Sequence, residues 1–172
     1  MGSNIVIFVT VGTTSFPFDR LLRAVDEVVS DSGKDEKLVV QQGVSKYQFK
    51  YPKTKTSKEL PFDKIISYMK KARMVITHGG PATIFLALKY CKNKPLVVPR
   101  TKKYGEHVDN HELFFAKFLE KKEEIEASFP EEDLPLKIGK YFCQPVKSIA
   151  GRENVASREL IKKLIEYTNL LK

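Results

Sequence analysis

The sequence predicts an α/β fold in which a parallel sheet carries helices on both faces. Strand-like apolar runs alternate along the chain with segments whose apolar residues recur at helical spacing, a pattern typical of parallel sheets. The strand candidates are apolar at consecutive positions, as expected for strands that are buried on both faces. The 172 residues can bury a real core, and we expect one domain over residues 1–172.

The first part of the chain predicts a strand, a helix and a second strand. "NIVIFVTVG" is a β-branched run that ends in glycine. "DRLLRAVDEVVSDSG" then places five aliphatic residues on one helical stripe and ends at a Ser32-Gly33 cap. "KLVVQQG" is the next strand. "SKYQFKYPKTKTSKELP" is polar, basic and bounded by proline, which predicts a long loop or an irregular edge with one short strand.

The second part continues the alternation. "PFDKIISYMKKA" predicts a helix, "RMVIT" a strand, "ATIFLALKYC" a helix, "KPLVVP" a strand and "DNHELFFAKFLEKK" a helix. Their order predicts a Rossmann-like winding. The acidic, proline-broken "EEIEASFPEEDLP" predicts a linker. Residues 130–172 are expected to form a C-terminal extension that ends in an amphipathic helix from Arg152.

Composition narrows the class of protein. No apolar run approaches the length of a membrane span, and we expect no signal peptide in the N-terminal residues. Cys91 and Cys143 are far apart and have no CxxC spacing, which favours a reducing compartment and a cytoplasmic protein. The net charge of +9 favours an anionic partner, but no nucleic-acid-binding motif is present, so we expect none.

The segment from Lys46 to Lys58 is the densest basic stretch. Five lysines alternate there with three aromatic residues, Tyr47, Phe49 and Tyr51. A solvated surface explains each lysine taken singly. As a group, the lysines and rings suit a membrane surface or the groove of a partner protein.

Three polar loops follow predicted strands, and the carboxyl ends of strands are where open parallel sheets bind ligands. They contain Gly12 to Ser15, His78 to Thr83, and Arg100 with the segment Tyr104 to His111. Two glycines before a helix N-terminus expose backbone N–H groups to an anion, with Thr83 and His78 as further donors. The alternative for "GG" is a tight strand-to-helix turn. The three loops together favour a site for a diphosphate.

Several familiar sites are excluded. The sequence has no GxGxxG, no GxxxxGK[ST], no GxSxG and no Asp-x-Asp pair. His107 and His111 have the spacing of two metal ligands on a helix, but Asp109-Asn110 indicates a helix cap. We therefore expect no metal site.

Four motifs carry a family resemblance: "VTVGTTSFPFDRLLRAVDE", "ITHGGPATIFLAL", "KPLVVPR" and "YGEHVDNHELFFA". In this order, between Ile5 and Leu119, they resemble the C-terminal, donor-binding half of GT-B glycosyltransferases of the family 28 C-terminal-domain type. The chain looks most like the soluble subunits of two-component bacterial exopolysaccharide and capsule transferases. It is more distantly similar to the soluble subunit of the eukaryotic dolichol-linked GlcNAc transferase.

The resemblance implies an inverting transferase that moves a hexose from a UDP-sugar to a lipid-linked sugar without a metal or other cofactor. It implies a membrane-anchored partner that binds the acceptor, and hence a cytoplasmic protein held at the inner face of the membrane. It names no general base in this chain. The implied donor-site residues are Gly12, Thr13, Thr14, His78, Gly79, Gly80, Pro81, Ala82, Thr83, Arg100, Glu106, His107, Asn110, His111 and Glu112.

Two departures and two alternatives accompany this interpretation. Leu86 stands where larger relatives carry a ribose-binding Glu, and Glu112 stands where close relatives carry Gln. A carboxylate accepts hydrogen bonds but cannot donate them to sugar hydroxyls. The alternatives are a non-catalytic regulatory subunit of a transferase complex and a basic protein that binds acidic polymers.

Overall fold

A computed structural model describes residues 6–145 together with Lys162 and Glu166. The strands within residues 6–145 are β1 (Val6–Thr10), β2 (Lys37–Gln41), β3 (Thr54–Ser57), β4 (Met74–His78), β5 (Leu96–Val98) and β6 (Glu126–Ala127). They form one parallel sheet in the order β3-β2-β1-β4-β5-β6. This confirms the predicted Rossmann-like winding, in which the chain reverses its direction of travel between β1 and β4.

Helices cover both faces of the sheet, also as predicted. They are α1 (Asp19–Asp31), α2 (Phe62–Lys71), α3 (Pro81–Tyr90), α4 (His111–Lys121) and α5 (Leu134–Cys143), with a short 3₁₀ turn at Lys102–Tyr104. α1 and α5 share one apolar cluster with the sheet. α2, α3 and α4 contribute to the two clusters on the opposite face. None of the helices in the described part of the chain is long and apolar enough to cross a bilayer.

The consecutive apolar residues of the strands follow from this layering. Ile7 and Val9 of β1 point into the cluster with α1, whereas Phe8 between them packs in the cluster with α2. In the same way, Val75 of β4, which pairs with Phe8, faces α2, and its neighbours face α1. Side chains alternate across a strand, so a strand covered on both faces must be apolar at every position.

The basic segment after β2 uses its aromatic rings inside the protein. Tyr47, Phe49 and Tyr51 are half-buried against the α1 cluster, in a β2–β3 connection that contains no helix. Buried Asp26 of α1 holds the segment, since its carboxylate accepts from Tyr47 Oη and from the N–H groups of Lys50 and Tyr51 at 2.9–3.0 Å. The predicted short edge strand is β3. The rings thus pack on α1, and contact of this segment with a membrane or a partner protein stays a prediction.

The predicted linker "EEIEASFPEEDLP" is wrong. It contains β6, whose Ala127 is fully buried, and it leads directly into α5. Two strand residues are too few to show the alternation of a strand in a sequence, and the glutamates around them are typical of a polar linker. The start of α5 did have a local signal, because the Asp133 carboxylate caps the helix by accepting from the Leu136 N–H at 2.9 Å and Pro135 lies in its first turn.

The amphipathic helix predicted from Arg152 lies outside the described residues, apart from Lys162 and Glu166, which are helical. Glu166 Oε1 accepts from Lys122 Nζ at 2.8 Å. Both side chains are substantially exposed, so this ion pair adds little stability.

Candidate functional site

The three polar loops meet at the carboxyl edge of the sheet. Residues 12–14 follow β1, residues 78–83 begin at the end of β4, and residues 100–112 follow β5. Because β4 lies between β1 and β5, these loops are neighbours. The crevice between β1 and β4 is the point where the strand order reverses, which is where sheets of this kind bind ligands.

The imidazole of His78 is packed between two glycines in this crevice. A Cβ atom at Gly80 would lie 2.4 Å from His78 Nε2, and one at Gly12 would lie 2.7 Å from His78 Cε1. Gly12 also has a φ of +74°, which side chains rarely adopt. These two glycines therefore make room for a histidine that is only 6% exposed, as well as for any ligand above them.

Burial lowers the pKa of His78, while the nearby Glu112 carboxylate acts in the opposite direction and Arg100 and His107 reinforce the lowering. His78 Nε2 lies 4.0 Å from Glu112 Oε1. The imidazole is consequently neutral at neutral pH, and in this state it can donate one hydrogen bond and accept another.

We expect this shift to make the protein less stable in mild acid. The unfolded chain takes up a proton on His78 below the ordinary pKa of 6.5, whereas the folded chain takes it up only at a lower pH. The free energy of unfolding should therefore fall as the pH drops below about 6.5, by up to about 1.4 kcal/mol per pH unit. Urea unfolding between pH 7.5 and 5.5 measures it.

His78→Gln should flatten this pH profile, and His111→Gln is the matched control, because the His111 side chain is 47% exposed. Equal slopes for the wild type and for His78→Gln would contradict the assignment.

The N-terminus of α3 offers unpaired donors to the crevice. Gly80 precedes the helix, no side chain of the described residues caps it, and Pro81 in the first position has no N–H. The amides of Ala82 and Thr83 therefore lack intrahelical acceptors, and together with the helix dipole they favour an anion. In the loop after β1, Thr14 Oγ1 is buried without a hydrogen-bond partner among the described residues.

Glu112 lies beneath this surface and not in the open crevice. It is 2% exposed, and its Oε2 accepts from the backbone N–H groups of Gly79 and Arg100, both at 3.0 Å. A Cβ at Gly79 would lie 2.7 Å from the Cβ of Glu112 and 3.1 Å from Pro99 Cα, so only glycine allows this approach. The carboxylate thus ties the loop after β4 to the loop after β5, instead of facing a sugar as the sequence predicts.

Arg100 and Glu106, like Glu112, form their hydrogen bonds and ion pairs with other groups of the protein. The Arg100 guanidinium is buried and donates to the carbonyls of Val11, Phe16, Pro17 and Glu106 at 2.7–3.3 Å. Glu106 is 4% exposed and pairs with Arg20, whose Nε lies 2.8 Å from its Oε1. These groups hold the loop after β1 against the loop after β5. Neither presents its charge to the open crevice.

His107, Asn110 and His111 line the outer part of the site. His107 stacks on Phe16 with ring centroids 5.8 Å apart and meets the His111 ring edge-on at 4.6 Å. The Asp109 carboxylate accepts from the His111 N–H at 3.1 Å, and Asn110 Oδ1 accepts from the Lys102 N–H at 3.0 Å. One ligand atom each of His107, His111 and Glu112 lie within 4.8 Å of one another, so these three could also approach a cation.

Arg20 is the site residue that the sequence interpretation missed. Its guanidinium lies 4.8 Å from the Tyr104 ring centroid, in addition to its pair with Glu106. The two partners are 86 positions apart in sequence, and no local pattern connects them.

Comparison with known proteins identifies the family. The model of the glycosyltransferase family 28 C-terminal domain matches residues 6–165. The chain belongs to this family. No curated protein sequence matches this family 28 domain.

Solved glycosyltransferases share its fold. The glycotransferase of kitacinnamycin matches with a TM-score of 0.67 at 18% identity, over 99% of this chain and 43% of that enzyme. CalG4, the calicheamicin glycosyltransferase, matches with a TM-score of 0.60 at 16% identity, over 92% of this chain and 40% of CalG4. VinC, in complex with dTDP, matches with a TM-score of 0.53 at 16% identity, over 94% of this chain and 37% of VinC. The domain therefore corresponds to the C-terminal half of a GT-B fold and spans less than half the length of these enzymes.

Proposed function

We propose that this family 28 domain binds the UDP-sugar donor of a two-component inverting glycosyltransferase. The observation that carries the proposal is the uncapped N-terminus of α3 at the reversal point of the sheet, together with the unpartnered Thr14 hydroxyl in the loop after β1. Amides, a hydroxyl and a helix dipole around an open crevice suit the two phosphates of a nucleotide sugar.

In this proposal, each group has a defined role in transfer of a hexose. The Ala82 and Thr83 amides bind the diphosphate and stabilise the charge that develops on the UDP leaving group. Neutral His78 adds one polar ring nitrogen beneath the phosphates, and His107, Asn110 and His111 approach the sugar. Glu112, Arg100 and Glu106 position these loops. No metal is required, and the general base that takes the acceptor proton comes from the acceptor-binding subunit.

The acceptor-binding partner would cover the carboxyl edge. All the large apolar side chains that are exposed in the described part of the chain follow strands or lie in the first turns of helices, which places them at this edge: Val44, Phe62, Tyr104, Val108, Phe114 and Leu136. Exposed apolar groups gathered at one edge favour a protein interface. We propose a membrane-anchored partner that presents a lipid-linked sugar, in exopolysaccharide or capsule synthesis at the cytoplasmic face of the membrane.

Calorimetric titration of the chain with UDP, dTDP and ADP, each with and without EDTA, tests the proposal. We expect UDP to bind more tightly than ADP, since the site is proposed to recognise uracil, and EDTA to leave the affinity unchanged. Comparison of the affinities for UDP and dTDP measures how strongly the site distinguishes one pyrimidine nucleotide from another. Failure of all three to bind, both alone and in complex with a co-expressed membrane partner, would exclude donor binding and favour a regulatory subunit.

A further inference from the structure

A second concave site lies at the opposite end of the strands. It is a cavity of about 750 Å³ at the amino ends of β1, β2 and β3, and we call it the lysine pocket after the side chains that line it: Lys37, Lys53, Lys55, Lys71 and Lys92. Its lining also includes Leu38, Val39 and Tyr68. It shares no residue with the crevice at the carboxyl edge.

The pocket exists because the helix layer ends at β2. Met69 and Tyr68 of α2 pack in one cluster with Phe8 of β1 and Val39 of β2. Lys55, which pairs with Val39 on β3, is exposed. The outer strand therefore forms a wall beside α2, and no other part of the described chain fills the sheet surface between them.

Charge in the pocket is of one sign. Five lysines and no carboxylate line it, and of these lysines only Lys53 has an ion-pair partner, Asp35, among the described residues. Lys71 ends α2 and Lys92 closely follows α3, so helix dipoles explain those two. Lys37 lies on β2 and Lys55 on β3, where neither a helix dipole nor an ion-pair partner among the described residues compensates their mutual repulsion. An anion in the cavity would relieve it.

We infer that the lysine pocket binds the headgroup of an anionic phospholipid, and that this domain contacts the membrane through it directly. Lysine is a point-charge phosphate ligand, and the absence of arginine from the lining argues against readout of nucleic acid. The apolar floor and Tyr68 suit the glycerol and first methylenes below a phosphate. Contact there leaves the carboxyl edge free for the donor and for a partner subunit. The inference is independent of the proposed donor.

Sedimentation with lipid vesicles tests the inference on the full chain. The vesicles are phosphatidylcholine alone or with about one-third phosphatidylglycerol. We expect binding to the anionic vesicles only, and a loss of at least tenfold for Lys37→Glu/Lys55→Glu, since each basic group near such a surface contributes about 1 kcal/mol.

Lys46→Glu/Lys50→Glu is the matched control, because it reverses two exposed lysines of the basic loop and changes the net charge equally. If the two variants lost vesicle binding equally, binding would depend on overall charge, and the lysine pocket would not be the lipid site. Absence of binding to anionic vesicles would also overturn the inference. Titrations with inorganic phosphate and with single-stranded RNA test the other possible ligands. If either one bound and Lys37→Glu/Lys55→Glu lost that binding, while vesicles did not bind, the ligand of the pocket would be that anion and not a lipid. Urea midpoints verify that both variants are folded.

Discussion

Glu112→Ala should lower the free energy of unfolding by about 3 kcal/mol or more. The substitution leaves the buried N–H groups of Gly79 and Arg100 without their acceptor, and an unsatisfied buried donor costs about 1–3 kcal/mol. It also leaves a cavity in a fully packed position. Urea unfolding at pH 7.5 measures the loss, and UDP affinity should decline with it because the two loops are no longer tied together.

Glu112→Gln distinguishes positioning from sugar binding. One amide oxygen can accept from both N–H groups, so we expect a loss of less than about 1 kcal/mol. Removal of the carboxylate should also lower the pKa of His78 further, since Glu112 raises it. If Glu112→Ala weakened only the binding of a UDP-sugar, and left unfolding and UDP affinity unchanged, Glu112 would be a sugar ligand and not a positioning residue.

Gly80→Ala is expected to weaken UDP binding at least tenfold and to destabilise the fold by about 1–3 kcal/mol. The backbone at Gly80 has φ −66° and ψ 124°, which alanine adopts without strain. The effect therefore comes from the new Cβ, which would lie 2.4 Å from His78 Nε2. The His78 ring has little room to move, because Gly12 borders it on another side. Calorimetry and urea unfolding measure the two effects.

Gly139→Ala is the control for this prediction. Beyond its own stretch of helix, no atom of the described residues lies within 4 Å of a Cβ at Gly139, and the residue lies within α5, so the variant should gain up to about 1 kcal/mol and bind UDP normally. His78→Ala/Gly80→Ala should recover stability relative to Gly80→Ala, because the smaller side chain makes room. Normal UDP binding by Gly80→Ala would contradict the placement of the donor at α3.

The candidate site could be located from the sequence but not resolved atom by atom. Parallel strands end at a common edge, so the polar loops after β1, β4 and β5 could be expected to meet there. Which of their side chains remain in the crevice could not be expected. Arg100 binds the carbonyl of Val11, 89 positions away, and that contact withdraws its charge from the site.

The amino-acid sequence by itself determined β1, β2, β4, β5 and the helices α1 to α4, since hydrophobic period, glycine caps and proline act over a few neighbouring residues. It left the segment of β3 open between a loop and an edge strand. It also determined the family, through four ordered motifs. Only the tertiary structure decided that Glu112, Arg100 and Glu106 support the site from below, that the rings after β2 replace a helix, and that β6 completes the sheet. Each of these features depends on contacts between buried groups that are distant in sequence. Such contacts leave no pattern among neighbouring residues from which they could be predicted.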